Sequence, residues 1–298
     1  MSDTKIGNLT IDAAYMGNIQ VDKLCLGNEV VWQHSSPTPV YSAMPLTIEF
    51  LESGTLNLVR GANASEVSVE VKINDGSWSQ YTFTTAGTAI SVSAGDKVAI
   101  RGNNPTYHES IAQDASSYSN MIRSTANHIM YGNIMSLVSA TGYTTATTLQ
   151  SAFTFSSMFL RDSGLTSVEN IILPATNCIL GCYLQLFRET PITKGPSILP
   201  ATTLAERCYR LMFYGCTSLT TAPELPATTS AFGCYWETFT NCSSLSYIKC
   251  LLENPNTTDC NSWVKNVSST GTFIKAPSAT WTRGASAVPS NWTLVDAN

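Results

Sequence analysis

The side chains with the most chemistry to offer are nine cysteines, three histidines and a few carboxylates, and their spacing limits what they can do. Cys178 and Cys182 are separated by three residues, whereas Cys234, Cys242 and Cys250 follow one another with seven-residue gaps. Zinc sites draw their ligands in close pairs. Here the cysteines keep a longer beat: Cys182, Cys208, Cys234 and Cys260 recur every 26 residues, so small buried apolar positions are the expected role. Neighbouring positions of this kind can also approach disulfide distance, with reduced thiols the expectation for a cytosolic origin. His34, His108 and His128 are too scattered for a histidine-based site and read as solvated residues. Glu206, Glu224 and Glu237 occur singly, while glycoside hydrolysis needs two facing carboxylates. Nucleophile-elbow, phosphate-loop and dinucleotide patterns are not found in the sequence. No catalytic residue, metal ligand or cofactor is assigned, and the chain is read as a non-enzyme.

The 26-residue beat belongs to a sentence written three times: LPATNCILGCYLQLF from Leu173, LPATTLAERCYRLMF from Leu199 and LPATTSAFGCYWETF from Leu225. A fixed period of this size predicts a solenoid, in which each unit buries its apolar face against the next. Tyr183, Tyr209 and Tyr235, and Phe187, Phe213 and Phe239, keep the period and read as structural. Positions that change between repeats are the binding candidates: Leu184, Arg210 and Trp236 in one column, Arg188, Tyr214 and Thr240 in another. Of these, Arg188, Arg210, Tyr214 and Trp236 are the residue types that interfaces favour, set against an ordinary packing role. Residues 205–213 predict two helical turns, with Glu206 as a cap and Gly215 as a stop. Trp281, Trp292 and Val295 are expected to close the end of the core.

Upstream, Ile6-Gly7-Asn8, Met16-Gly17-Asn18 and Leu26-Gly27-Asn28 recur every ten residues, each followed by apolar alternation that ends at Trp32. Gly-Asn between alternating runs predicts tight turns and a small β-meander. Its core is poor on its own, which leaves two readings open: a sheet packed on the next domain, or a segment that trimerises or docks on another protein. Gly7, Gly17, Gly27 and Trp32 are its anchor residues. A Pro-containing linker follows, and then alternation at Leu46, Ile48 and Phe50, at Val67, Val69 and Val71, and at Val98 and Ile100 predicts a β-sandwich.

Charged residues are 12% of the chain, about half the roughly 25% usual in soluble proteins. The net charge of -5 provides no basic footprint for nucleic acid. No apolar run is long enough for a membrane-spanning helix, and the polar start MSDTKIGNLTIDAAYMG carries no apolar signal core, so export by that route is not expected.

The repeat LPATTLAERCYRLMFYGCTSLTTAPELPATT resembles BspA-like leucine-rich repeats, a likeness that extends over roughly residues 125–298 with the GTFIKAP…WT ending. The wording PLTIEFLESGT…INDGSW…SAGDKVAIRGN resembles the sandwich that precedes such repeats in proteins of gut Bacteroidales and their phages. The opening IGNLTIDAAYMGNIQVDKLCLGNEVVW is similar to the leading segment of phage tail and fibre proteins. The resemblance implies a mixed α and β chain: an N-terminal β anchor or oligomerisation segment (1–34), a linker (35–44), a β-sandwich (45–103), a connecting segment (104–127), a leucine-rich-repeat solenoid (128–275) and a cap (276–298). It implies a virion appendage on head or tail, assembled in the host cytoplasm as a homotrimer. Other virion proteins would meet its N-terminus, and host glycan or protein would meet its repeats. A bacterial cell-surface adhesin and an enzyme acting on surface polysaccharide are the alternatives.

Overall fold

The computed structural model describes residues 40–108 and 115–298, together with the backbone of six short strands between Lys5 and Gln33. The chain divides into two units, Met1–Val40 and Tyr41–Asn298.

In the first unit the strands pair antiparallel in twos: β1 (Lys5–Ile6) with β2 (Leu9–Thr10), β3 (Ala14–Met16) with β4 (Ile19–Val21), and β5 (Lys23–Leu26) with β6 (Glu29–Gln33). The described residues therefore form three two-stranded ladders rather than one continuous meander. Gly7, Gly17 and Gly27 lie outside the described residues, and Trp32 falls on the backbone of β6.

The second unit opens as two facing sheets. One has the order β10 (Ser79–Thr82), β9 (Ser68–Ile73), β12 (Lys97–Arg101), β7 (Leu46–Phe50), β14 (His128–Asn133) and β15 (Leu165–Ile172). The other has the order β11 (Thr88–Val92), β8 (Gly54–Arg60) and β13 (Asn120–Ser124). The period-two pattern does what strand geometry requires: Leu46, Ile48, Phe50, Leu56, Leu58, Val98 and Ile100 all turn inward to full burial. Asn74 adopts φ 52° at the β9–β10 connection, as a tight hairpin needs. β13 comes from a Ser/Asn-rich stretch with no clear strand pattern, and it pairs with β8 along its whole length. β14 joins two regimes, running antiparallel to β7 and parallel to β15. Beyond β15 the parallel pairing continues through single bridges, Ser167↔Lys194 and Thr221↔Tyr247. It ends in the parallel sheet β16 (Tyr247–Cys250), β17 (Thr272–Lys275) and β18 (Thr293–Asp296).

The expected mixed α and β class with a leucine-rich-repeat solenoid does not hold. The described residues are strand, short 3-10 turn and irregular turn, with no helix of seven or more residues. The reason is visible in residues 205–215. The amides of Cys208, Arg210, Met212 and Tyr214 bond three residues back, to Ala205, Arg207, Tyr209 and Leu211. The alternate amides of Arg207, Tyr209, Leu211, Phe213 and Gly215 leave the segment and donate to the carbonyls of Phe232, Cys234, Trp236, Thr238 and Thr240. An α-helix needs every amide for its own carbonyl four residues back. Here half of them are committed to the neighbouring segment. The left-handed backbone of Arg207 (φ 56°), Leu211 (φ 57°) and Gly215 (φ 73°) breaks any helical run. The segment is a ribbon of overlapping turns. The same alternation joins residues 153–161 to 180–188, 181–189 to 206–214, and 235–241 to 259–265. Glu206 consequently caps no helix; it lies exposed, 3.4 Å from Arg207 Nε.

Inside the ribbons, residues at equivalent positions stack. Phe155, Tyr183, Tyr209 and Tyr235 follow one another with ring centroids 5.8 to 5.9 Å apart. Phe159, Phe187, Phe213 and Phe239 form a second file at 5.6 to 5.7 Å. Both distances fall in the range where offset-stacked rings attract beyond their burial. The two files converge on Trp263, 5.9 Å from Tyr235 and 6.1 Å from Phe239, with its indole N–H donating to the Ala287 carbonyl. Trp281 stacks on Trp263 at 5.6 Å, and Trp292 is buried, so the indoles close this end. Val295 is 41% exposed and takes no part in the closure.

Candidate functional site

The outward side of the ribbons collects the variable positions. Because equivalent positions of successive ribbons lie side by side, a residue meets the one in the same column of the next repeat. The Arg210 guanidinium lies over the Trp236 ring, 4.4 Å from its centroid. The Arg188 guanidinium lies over Tyr214 at 4.9 Å. Arg188, Arg210, Tyr214 and Trp236 are all half-buried. Leu184 and Thr240, from the same two columns, are buried.

Two further arginines complete the face. Arg207 packs its stem beside Trp236 over Gly233, whose added Cβ would meet the Trp236 ring at 3.4 Å and Arg207 Cγ at 3.7 Å. Arg161 donates to Glu189 Oε2 at 2.6 Å, and Arg188 Nε donates to Glu189 Oε1 at 3.0 Å, so one carboxylate holds two guanidinium groups. Arg210 has no such partner: among the described residues its Nε meets no acceptor. Burial, together with the neighbouring Arg207 and Arg188 charges, holds the Arg210 guanidinium below its usual range, against an opposing pull from Glu237. Arg207 and Glu189 carried no repeat signal, because their columns are occupied by Gly181 and Gly233, and by Gly215, in the neighbouring repeats.

The other chemistry-bearing groups are built into the interior. The eight cysteines with described side chains are free and buried. Burial pushes the thiols of Cys182, Cys208, Cys242 and Cys260 well up, and those of Cys234 and Cys250 up to about 12. His34 lies outside the described residues. His108 and His128 are not solvated as expected. His108 is buried 5.7 Å from the Phe153 ring, and His128 is wholly buried at the start of β14. His128 Nδ1 lies 2.8 Å from the Ala126 carbonyl and Nε2 lies 3.2 Å from Asp162 Oδ2, with both side chains shut off from water. Asp162 Oδ1 also accepts the Ser124 amide, which ties the first ribbon to β13. Glu224 pairs with Lys249 at 2.8 Å. Among the described residues no three His, Cys, Asp or Glu side chains converge in a way that fits a metal ion. A polar cleft of about 500 Å³ on the sandwich, lined by Ser68, Glu70, Gln80, Asn103 and Asn104, contributes one carboxylate. No helix among the described residues is long and apolar enough to cross a membrane. The chain matches no family model, no curated protein and no solved structure.

Proposed function

We propose that this protein is a bacteriophage virion appendage, a fibre or decoration on head or tail, that displays a binding face for adhesion to its host. The observation that carries the reading is the pairing of Arg210 with Trp236 and Arg188 with Tyr214 across neighbouring ribbons. Interfaces favour Arg, Trp and Tyr, and rigid ribbons hold these side chains at little further entropic cost on binding. The likeness of the N-terminal Gly-Asn repeats to leading segments of phage tail and fibre proteins supports attachment through residues 1–34 to other virion proteins. Threefold assembly fits the symmetry of closed oligomers, and many copies on one particle convert weak contacts into firm attachment through avidity. The ligand is a glycan or protein of the host surface.

The test is adsorption. Fluorescently labelled full-length protein is incubated with a panel of cultured Bacteroidales strains, and phage particles from the same hosts are analysed by mass spectrometry. Saturable binding to at least one strain, with the chain present in particles, is the expected result. A chain that binds no strain and is missing from particles overturns the reading.

A further inference from the structure

We infer that the ribbon face binds an acidic polysaccharide, with Arg210 receiving its anionic groups; this rests on the display reading above. Arg210 is set apart from its neighbours. Arg161 and Arg188 share Glu189, and Arg207 lies 3.4 Å from Glu206, whereas Arg210 has no carboxylate at ion-pair distance among the described residues; the Nε atoms of Arg207 and Arg210 are both buried without a hydrogen bond. A guanidinium held on a half-buried face with no carboxylate partner keeps its charge available to an anion supplied from outside. The Arg210 guanidinium lies over the Trp236 ring at 4.4 Å, and a guanidinium stacked on an aromatic ring can take a carboxylate or sulfate through its terminal N–H groups. Arg207 and Arg188 stand close enough to act on Arg210 electrostatically. The face is thus locally cationic in a chain of net charge -5, and bulk attraction cannot account for anion binding.

The same surface carries Glu206, Glu189 and Glu237, half-buried or exposed beside the arginines. A densely acidic peptide would bring like charges against these carboxylates. A sugar chain with spaced anionic groups also brings hydroxyl donors, which the carboxylates can accept. The mixed face therefore favours acidic glycan over acidic peptide.

Isothermal titration of the full chain with polygalacturonate and with dextran sulfate tests this, with neutral dextran and poly-L-glutamate as competitors for the assignment. The variants are Arg210→Gln and Lys194→Gln. The second removes the same charge from an exposed lysine paired only with Glu169, so it reports general electrostatics. The expected result is binding of at least one acidic polysaccharide, weakened at least tenfold by Arg210→Gln, unchanged by Lys194→Gln and reduced by added salt, with the melting temperature of both variants preserved. Equal binding by Arg210→Gln, tighter binding of neutral dextran, tighter binding of poly-L-glutamate, or binding of none of these polymers overturns the inference. If Arg210→Gln melts early, Arg210→Lys replaces it: charge retained without the planar fork should still weaken binding, and full retention overturns the role of Arg210. A chain that ignores acidic polymers yet adsorbs to cells loses this inference and keeps the display reading. A chain that does neither loses both.

Discussion

Tyr209 stacks on Tyr235 with ring centroids 5.9 Å apart and planes 13° from parallel, both rings buried to 1% exposure. These two residues sit at the same position of consecutive repeats, and the amide of Tyr209 donates to the Cys234 carbonyl alongside. One contact therefore joins a sequence period to a backbone ladder and a core file. Removing the ring should open a large cavity in the middle of that file. We expect Tyr209→Ala to cost about 3 to 5 kcal/mol and Tyr209→Phe much less, measured by urea unfolding. A cost for Tyr209→Ala below about 1 kcal/mol would mean that the ring is not a core element.

The pairing of His128 with Asp162, both shut off from solvent, joins β14 to the last turn of the first ribbon. Taking away one partner strands the other in a dry interior. Asp162→Ala leaves the buried Ser124 amide without its acceptor and is expected to destabilise by about 1 to 3 kcal/mol, and Asp162→Asn by less, since the amide oxygen can still accept the Ser124 amide. Replacing both residues with apolar side chains of similar volume should recover much of the loss. Chemical denaturation of the single and double variants measures this. An Asp162→Ala protein as stable as wild type would remove the pair from the account.

The buried thiols give the protein a characteristic response to alkali. Burial raises Cys216 to about 11 and Cys234 and Cys250 to about 12. A group whose folded pKa lies above its unfolded value stabilises the fold fully below the unfolded pKa and loses that contribution as pH rises through the folded one. Stability should therefore hold up to about pH 9 and decline from there toward pH 12. Calorimetry between pH 7 and 11 checks the decline, and thiol-reagent titration should find these cysteines inert until unfolding. A melting temperature flat to pH 11, or native cysteines that react at once, would contradict the burial.

Because Tyr41–Asn298 is a unit separate from Met1–Val40, a chain lacking residues 1–34 should melt as the full chain does; the proposed N-terminal attachment adds that it should fail to enter particles. Electron microscopy and mass spectrometry of particles made with the truncated chain decide it. Normal incorporation would reject the N-terminal anchor.

The strand alternation and the repeat columns were legible in the sequence, whereas the fold class was not. Leu46, Ile48 and Phe50 alternate because a strand turns successive side chains to opposite faces, and they line the sandwich core. The recurrence of Tyr183, Tyr209 and Tyr235 marked a column, and these rings stack. The helix expected over 205–213 was wrong because local propensity describes a segment bonding to itself. Arg207 and Leu211 are good helix formers held in left-handed backbone by amides that bond to the next repeat, a non-local demand that leaves no local trace. Trp263 keeps neither period: one indole spans the ends of two files, and Lys265 stands 26 residues after Phe239 in place of a further ring. Column variation singled out Arg188, Arg210, Tyr214 and Trp236 as binding candidates, and the structure pairs them across neighbouring ribbons. That pairing was not legible, since a guanidinium placed on the ring of the following repeat requires knowing that the repeats lie side by side. Nor could the sequence bring Asp162 to His128, because their meeting depends on β13, which has no strand pattern of its own.

The proposed adhesion depends most on Arg210 and Trp236 acting as one binding element. The direct measurement is a double-mutant cycle, with Arg210→Gln, Trp236→Ala and the combined variant assayed for adsorption to a strain that the wild-type chain binds, and with thermal melting recorded on the same samples. Each single change should weaken adsorption at least tenfold, the double should add little more, and the melting temperatures should stay close to wild type. Adsorption that all three variants retain in full, or losses that simply multiply, would contradict a shared binding element at this face.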